Sequence, residues 1–301
     1  MPTVGNPERR VAEGEHRTSP TWARQSGEID FLNSETGQPP ATNYPLGVTQ
    51  GLASYLQSPA IAEDYDDYFA YNKLFDFDVQ IVHQLLDATD HEHELVVDLG
   101  CGTGRLLLSV AERGFDCLAV DLSPHMLAVV RAKAEATGLP VQYLRANLVE
   151  LDCLADGCCG LAVCLFSTLG MISKRRNRVQ CLRHIRRILR PGGRFVLHVH
   201  NYWYSLHDKG GPWWFVRNLA HSLVLGDVER GDKFFVYRGV PDMYLHVFRG
   251  HELRVALRET GFCIRDWIPL SASRDERLRW PLLFGDFRAN GWIVVCDVGS
   301  Q

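Results

Sequence analysis

The stretch that most constrains this chain is Glu94-Leu-Val-Val-Asp-Leu-Gly-Cys-Gly-Thr-Gly-Arg105. An apolar run ending in Asp98 reads as a strand. Gly100, Gly102 and Gly104 read as a tight turn, and the segment after it as a helix. Glycines at alternate positions allow positive φ and leave no Cβ between the backbone and a ligand. In an open α/β sheet, ligands bind where the carboxyl end of a strand meets such a turn. The spacing is Gly-x-Gly-x-Gly rather than the Gly-x-Gly-x-x-Gly of a dinucleotide fingerprint, and an acid stands two residues before the first glycine.

Strand and helix patterns alternate from there. Strands are predicted near 94–99, 116–121, 141–145, 160–166 and 193–200, and helices near 103–113, 123–137 and 174–190. That alternation implies right-handed crossovers and a parallel, doubly wound α/β sheet. Ser123-Pro124 reads as an N-cap with proline at the first helical position. Apolar residues from Tyr68 to Leu86 recur at helical spacing and predict one or two helices ahead of the sheet. Residues 202–246 break the alternation with Trp203, Trp213, Trp214, Phe234, Phe235 and Tyr237, and read as an inserted aromatic cap. A helix at 250–260 and strands near 262–270 and 290–297 finish the sheet. Residues 1–60 are rich in Pro, Gly, Ser and Thr and cannot bury much surface. They read as a mostly disordered tail with a docked stretch near Tyr44–Leu56, which leaves 61–301 as one domain.

Bulk properties narrow the function. A net charge of −4 argues against a surface built for nucleic-acid phosphate. There is no apolar run of about 18 residues, so no membrane span is expected, and the first residues lack the apolar core of a signal peptide. Nine cysteines, several within apolar strands, suit reduced thiols in a cytoplasmic protein. Cys153, Cys158 and Cys159 do not have zinc spacing, so no metal is expected.

The motifs together resemble those of the class I S-adenosylmethionine-dependent methyltransferases. The glycine turn is similar to the family's first motif and Leu118-Ala-Val-Asp-Leu-Ser-Pro-His-Met-Leu127 to its second. Arg145-Ala-Asn-Leu148 falls at the adenine-contacting turn. Gly160–Gly170 resembles the fourth strand, and Leu189–Leu197 the turn into the fifth. The resemblance implies a seven-stranded, mostly parallel Rossmann-like sheet with an antiparallel last strand, and S-adenosyl-L-methionine as cofactor. It implies Asp98, Gly100, Cys101 and Gly102 beside the methionine and ribose portion, with Asp121 on the ribose hydroxyls and Leu122 on the adenine. Asn147 and Leu148 would meet the adenine edge, and Phe166 and Ser167 the sulfonium. Tyr68 and Lys73, from the helix before the sheet, would fold over the methionine end.

Transfer from a sulfonium needs alignment and exclusion of water, and a base only if the acceptor must lose a proton. His200, at the end of the fifth predicted strand, is the candidate base, with Asn201 and Tyr202 as substrate contacts. Val199–Leu206 resembles the matching region of glycine N-methyltransferase-like enzymes. The resulting expectation is methyl transfer to an N or O atom of a small-molecule acceptor. Helix 174–190 carries eight Lys and Arg residues around an apolar stripe of Val179, Leu182, Ile185 and Leu189, so its basic residues read as a solvated face. An RNA footprint there is the sharper alternative, and Tyr244–Leu253 resembles a segment of methyltransferases that modify transfer-RNA wobble uridines. RNA or protein acceptors, and binding without turnover, are the competing readings; oligomeric state stays open.

Overall fold

A computed structural model describes residues 44–70, 75–88, 94–224 and 228–299. Of the expected tail at 1–60, residues 1–43 lie outside the described residues, as does Lys73. The strands are β1 (Leu95–Leu99), β2 (Asp116–Asp121), β3 (Val141–Arg145), β4 (Cys159–Cys164), β5 (Leu189–His200), β6 (Asp232–Tyr237), β7 (Val240–His246), β8 (Phe262–Pro269) and β9 (Gly291–Val298). Seven of them form one sheet in the order β3-β2-β1-β4-β5-β9-β8. β1 to β5 pair in parallel, whereas β9 runs antiparallel to both β5 and β8. This is the doubly wound, Rossmann-like sheet with an antiparallel last strand.

Alternation along each strand builds a core on both faces. Val97, Leu118 and Val120 pack with Leu182, Ile185 and Ile188 of one helix and Leu253 and Leu257 of another. Val96, Cys117 and Ala119 face the opposite way, onto Ile81, Val82, Leu107 and Val110. Every residue of β4 is buried, as expected of a central strand covered on both faces by crossover helices. The chain leaves β1 towards β2 and β3, then returns through β4 to β5. The gap between the carboxyl ends of β1 and β4 is therefore the topological switch point, where such sheets bind ligands.

The helices are α1 (Gln50–Leu56), α2 (Pro59–Glu63), α3 (Tyr65–Phe69), α4 (Asp76–Asp87), α5 (Arg105–Ala111), α6 (Pro124–Thr137), α7 (Thr168–Met171), α8 (Arg175–Ile188), α9 (Gly211–Val224), α10 (Gly250–Glu259) and α11 (Gly285–Arg288). Ser123 caps α6, its Oγ accepting from the Met126 N–H at 3.4 Å. Residues 202–246 hold a short 3-10 turn (Trp203–His207), α9 and the β6–β7 hairpin. α1 lies on that hairpin. A Cβ at Gly51 would stand 2.3 Å from the Asp242 carbonyl oxygen, so only glycine allows the two backbones to approach this closely.

The basic helix departs from the expectation of a solvated face. Arg178 is only 3% exposed and donates to Glu229, to Tyr244 Oη at 3.2 Å and to the Ile172 carbonyl at 3.2 Å. Arg186 reaches the carbonyls of Gly261 and Gly299, Arg187 those of Leu151 and Leu154, and Arg190, just past the helix at the start of β5, pairs with Glu94. Arg175 pairs with Glu259. These guanidiniums tie α8 to neighbouring segments, because a long side chain can bury its stem and still place its head on a carbonyl or carboxylate. Beside Arg178, His246 sits between Asp232 (2.8 Å) and Glu252 (2.9 Å). Tyr244 Oη also donates to Asp232. Burial alone would raise both carboxyls, but the His246 hydrogen bonds win and hold Asp232 and Glu252 below the usual carboxylate range. This cluster anchors the hairpin to α8 and α10.

Candidate active site

A cavity of about 470 Å³ opens at the carboxyl ends of β1, β2, β4 and β5. The glycine turn forms one wall. The Gly100 and Cys101 N–H groups donate to the Val120 carbonyl at 2.7 and 3.1 Å, so the turn is hung from β2. Asp121, at the end of β2, fixes it further: Oδ2 accepts from the Gly102 N–H at 2.9 Å and Oδ1 from the Ser123 N–H at 2.8 Å. Gly102 lines the cavity with φ +53, and a Cβ there would meet no protein atom within 4 Å. The turn thus presents bare backbone to whatever fills the space.

Two carboxyls share this wall. Asp98 is buried, and desolvation, reinforced by the Asp121 charge, lifts it to about 7. Burial likewise lifts Asp121 to about 6, against the Ser123 and Gly102 N–H groups that favour its charged form. Both are poised to ionise fully when a cation arrives.

The second wall follows β3 and β4. Leu122, Leu148 and Asn147 line it. The Asn147 amide nitrogen donates to the Leu46 carbonyl at 3.0 Å and to Glu150, while its oxygen accepts from the Val149 N–H at 3.1 Å. Its side chain therefore clasps the segment before α1, and only the second lone pair of Oδ1 is left for a ligand. Phe166 and Ser167 both adopt left-handed backbone, with φ of 51 and 65. That costs about 1–2 kcal/mol per non-glycine residue. It is held because Ser167 N–H donates to the His198 carbonyl and Ser167 Oγ accepts from His200 N–H. The bend turns Phe166 into the cavity against Phe75, with centroids 4.5 Å apart. Cys101 also lines the cavity, and burial pushes its thiol up, away from any nucleophilic role.

The segments before the sheet close the roof with Tyr55, Tyr65, Tyr68 and Phe69. They are locked to the turn through Asp66, which accepts from Thr103 Oγ1 at 2.7 Å and pairs with Lys133. Tyr68 keeps more than half its surface exposed at the mouth.

The far end corrects three expectations. Asn201 is buried, its amide donating to the Ala289 carbonyl at 2.8 Å and its oxygen accepting from Trp203 N–H. Tyr202 is buried among Trp203, Trp214 and Phe215. Neither lines the cavity, because the chain turns away after β5 into the 3-10 segment. His200 does line it, but Nε2 lies 3.3 Å from the Arg274 guanidinium. A guanidinium cannot accept, so the imidazole lone pair is at Nε2 and the proton at Nδ1. Burial, with the nearby positive charge of Arg274, holds His200 well below the usual histidine range. In this arrangement His200 is a neutral donor, not a general base.

Sequence reasoning missed Asp78, His198 and Arg274. Asp78 lines the cavity from α4 and binds His198 Nδ1 at 2.6 Å, with both residues buried. Its one signal was an acid at i−3 and i−4 to the apolar Ile81 and Val82. Arg274, in the β8–β9 connection, gave no signal.

A family model described as a methyltransferase domain matches residues 96–193, from β1 to the start of β5. Over that stretch the chain is similar to methyltransferase domains. Over 142 residues that domain region is 33% identical to a demethylmenaquinone methyltransferase of Thermus thermophilus, covering 46% of this chain and 61% of that protein. The chain spans only 42% to 61% of the length of the first curated relatives it matches. In three dimensions these residues and their surroundings resemble a SAM-dependent methyltransferase of Methanosarcina mazei. The TM-score is 0.59 at 17% identity, over 72% of this chain and 98% of that one. They also resemble the 1,6-didemethyltoxoflavin N1-methyltransferase of Burkholderia thailandensis, seen with its substrate and S-adenosylhomocysteine, at a TM-score of 0.54 and 19% identity over 86% and 93% of the two chains. Among the described residues, no helix is long and apolar enough to cross a membrane.

Proposed function

We propose that the chain is an S-adenosylmethionine-dependent methyltransferase that modifies an N or O atom of a small-molecule acceptor. The observation that carries this reading is a single cavity that runs from bare glycine backbone and the Asp121 carboxylate to a polar end at Asp78, His200 and Arg274. When bound, the donor supplies a methyl group already activated on a sulfonium. The protein's own residues then have to hold, align and dry the reacting groups. Asp121 has two of its four lone-pair sites filled by backbone, which leaves two for the ribose hydroxyls. Leu122 and Leu148 give the adenine an apolar slot, and Asp98 and Asp121 offset the donor's positive charge. Phe166 turns towards the sulfonium side and separates it from Arg274. The spent arginines of α8 speak against an RNA footprint on that helix, since four of them, and Arg190 just beyond it, are committed within the fold.

The reading is tested by calorimetry with the donor and with S-adenosylhomocysteine, followed by transfer of labelled methyl to a panel of small acceptors. Both nucleosides are expected to bind. Folded protein that gives no heat with either overturns the proposal.

The raised carboxyls set a pH dependence. Asp98 and Asp121 ionise near about 7 and about 6 in the free protein. A cation binds better once they are charged, so affinity for the donor should rise between about pH 5.5 and about pH 8, with proton release on binding in that range. Stability of the free protein should move the other way. The native carboxyls keep protons that the unfolded chain releases near its ordinary value of about 3.9. Their contribution is therefore complete below that value and is lost as pH rises through 6 and 7. Titrations in two buffers of different ionisation enthalpy read the released proton. An affinity that stays flat across the range removes both acids from the donor site.

A further inference from the structure

We propose that the acceptor carries an acidic oxygen, a phenolate, enolate or carboxylate, which binds at the Arg274–His200 pair beside the face of Phe166. The inference rests on the methyltransferase reading and deepens it by naming the class of acceptor.

Arg274 is a permanent cation that no carboxylate meets within ion-pair distance among the described residues. Among the described residues its guanidinium makes one hydrogen bond, to the neutral His200 Nε2 at 3.3 Å, and its guanidinium carbon lies 5.7 Å from the Phe166 ring centroid. Its Nε is buried with no partner. His200 Nδ1, which carries the imidazole proton, is also buried with no partner. Two residues that line one cavity therefore each keep a buried N–H donor unfilled, and such a donor is costly until something accepts from it. Asp78 Oδ1 is the opposing group: it too lacks a partner, and its charge attracts Arg274 from beyond ion-pair range. Its other oxygen is taken by His198 at 2.6 Å. His198 Nε2 is likewise without a partner but does not line the cavity; on the lining itself, two open donors, one of them fully charged, against one open acceptor favour an oxygen anion, and Asp78 can receive a neighbouring O–H or N–H of the same ligand. Lys233 adds positive potential at His200 from outside the cavity wall. Phe69, Phe75 and Phe166, stacked edge-to-face and tilted, offer a flat apolar flank that suits a conjugated ring.

The chemistry balances without a protein base. The acceptor enters already ionised, its proton left in solvent. An oxygen lone pair forms the new O–C bond, the sulfur takes the electron pair of the broken S–C bond, and the negative oxygen and positive sulfur both become neutral. Arg274 and His200 hold the anion in place and, by their hydrogen bonds, favour its ionised form. This agrees with a His200 that cannot take up a proton.

The experiment uses the full chain saturated with S-adenosylhomocysteine, titrated with 4-nitrophenol above its ionisation, benzoate, benzyl alcohol and phenyltrimethylammonium. At least one of the two anions is expected to bind about 10-fold or more tightly than the neutral and cationic probes, as charge-assisted hydrogen bonds are about twice as strong as neutral ones. Whichever anion binds better distinguishes a phenolic from a carboxylic acceptor. Arg274→Gln should erase that preference while binding of S-adenosylhomocysteine and of benzyl alcohol stays as in the parent, and Arg274→Lys should recover part of it. S-adenosylhomocysteine bound with no preference for anions, or an anion preference that survives Arg274→Gln, overturns the inference alone. Failure of S-adenosylhomocysteine to bind takes down the wider reading and this one together.

Discussion

Arg178→Ala is expected to lower stability by about 3–5 kcal/mol, because removing one partner of a buried ion pair leaves the other charges uncompensated. Arg178 is 3% exposed and answers Glu229, with Glu252 at 3.9 Å, and it also holds Tyr244 Oη and the end of α7 through the Ile172 carbonyl. Its guanidinium lies 5.7 Å from the Phe248 ring centroid. The variant would leave Glu229 without its guanidinium, beside Asp232 and His246, while Glu252 keeps His246 and Arg249. The midpoint of thermal unfolding should fall by roughly 5–15 °C. On the same helix Arg176 and Arg183 are exposed, and alanine there should change stability by no more than about 0.5 kcal/mol. Equal, small effects at all three positions would mean that the α8 arginines are a solvated face after all.

Asp121→Ala should damage both the fold and ligand binding. Two backbone donors, Gly102 N–H and Ser123 N–H, lose their acceptor. Each buried donor left unpaired costs about 1–3 kcal/mol, so the free protein should lose about 2–4 kcal/mol once partial relaxation is counted. Affinity for the methyl donor and for S-adenosylhomocysteine should fall by a further 1–3 kcal/mol, about 5- to 150-fold, from loss of the ribose hydrogen bonds. Asp121→Asn separates the two effects. It retains one acceptor oxygen and should recover part of the stability, yet it cannot receive both ribose hydroxyls while serving the turn. Denaturant midpoints and calorimetry on the same samples give the two numbers. A stable Asp121→Ala protein with unchanged affinity for S-adenosylhomocysteine would take the carboxylate out of the site.

The two variants sit on opposite sides of what could be read from sequence. Asp121 was readable because it follows an apolar strand and precedes Ser-Pro, and both features are local. Arg178 was misread for the same reason: an amphipathic pattern separates apolar from charged positions but is blind to what stands opposite. Its partners Glu229 and Tyr244 are 51 and 66 residues away. Asn201 and Tyr202 follow the same rule. Their place at the end of β5 marked them as cleft residues, yet the turn that withdraws them is set by a hydrogen bond from Asn201 to the Ala289 carbonyl, 88 residues on.

By itself the sequence determined the sheet, its crossovers and the glycine wall of the cavity. Those depend on backbone demands that repeat within a few residues: alternation along strands, positive φ in a turn, a cap at a helix start. Tertiary structure alone decided the opposite wall. Asp78 meets His198 across 120 residues, His200 meets Arg274 across 74, and Asn147 clasps Leu46 across 101. A polar group that far along the chain acquires its partner, its protonation and its chemistry only when folding removes water from both at once.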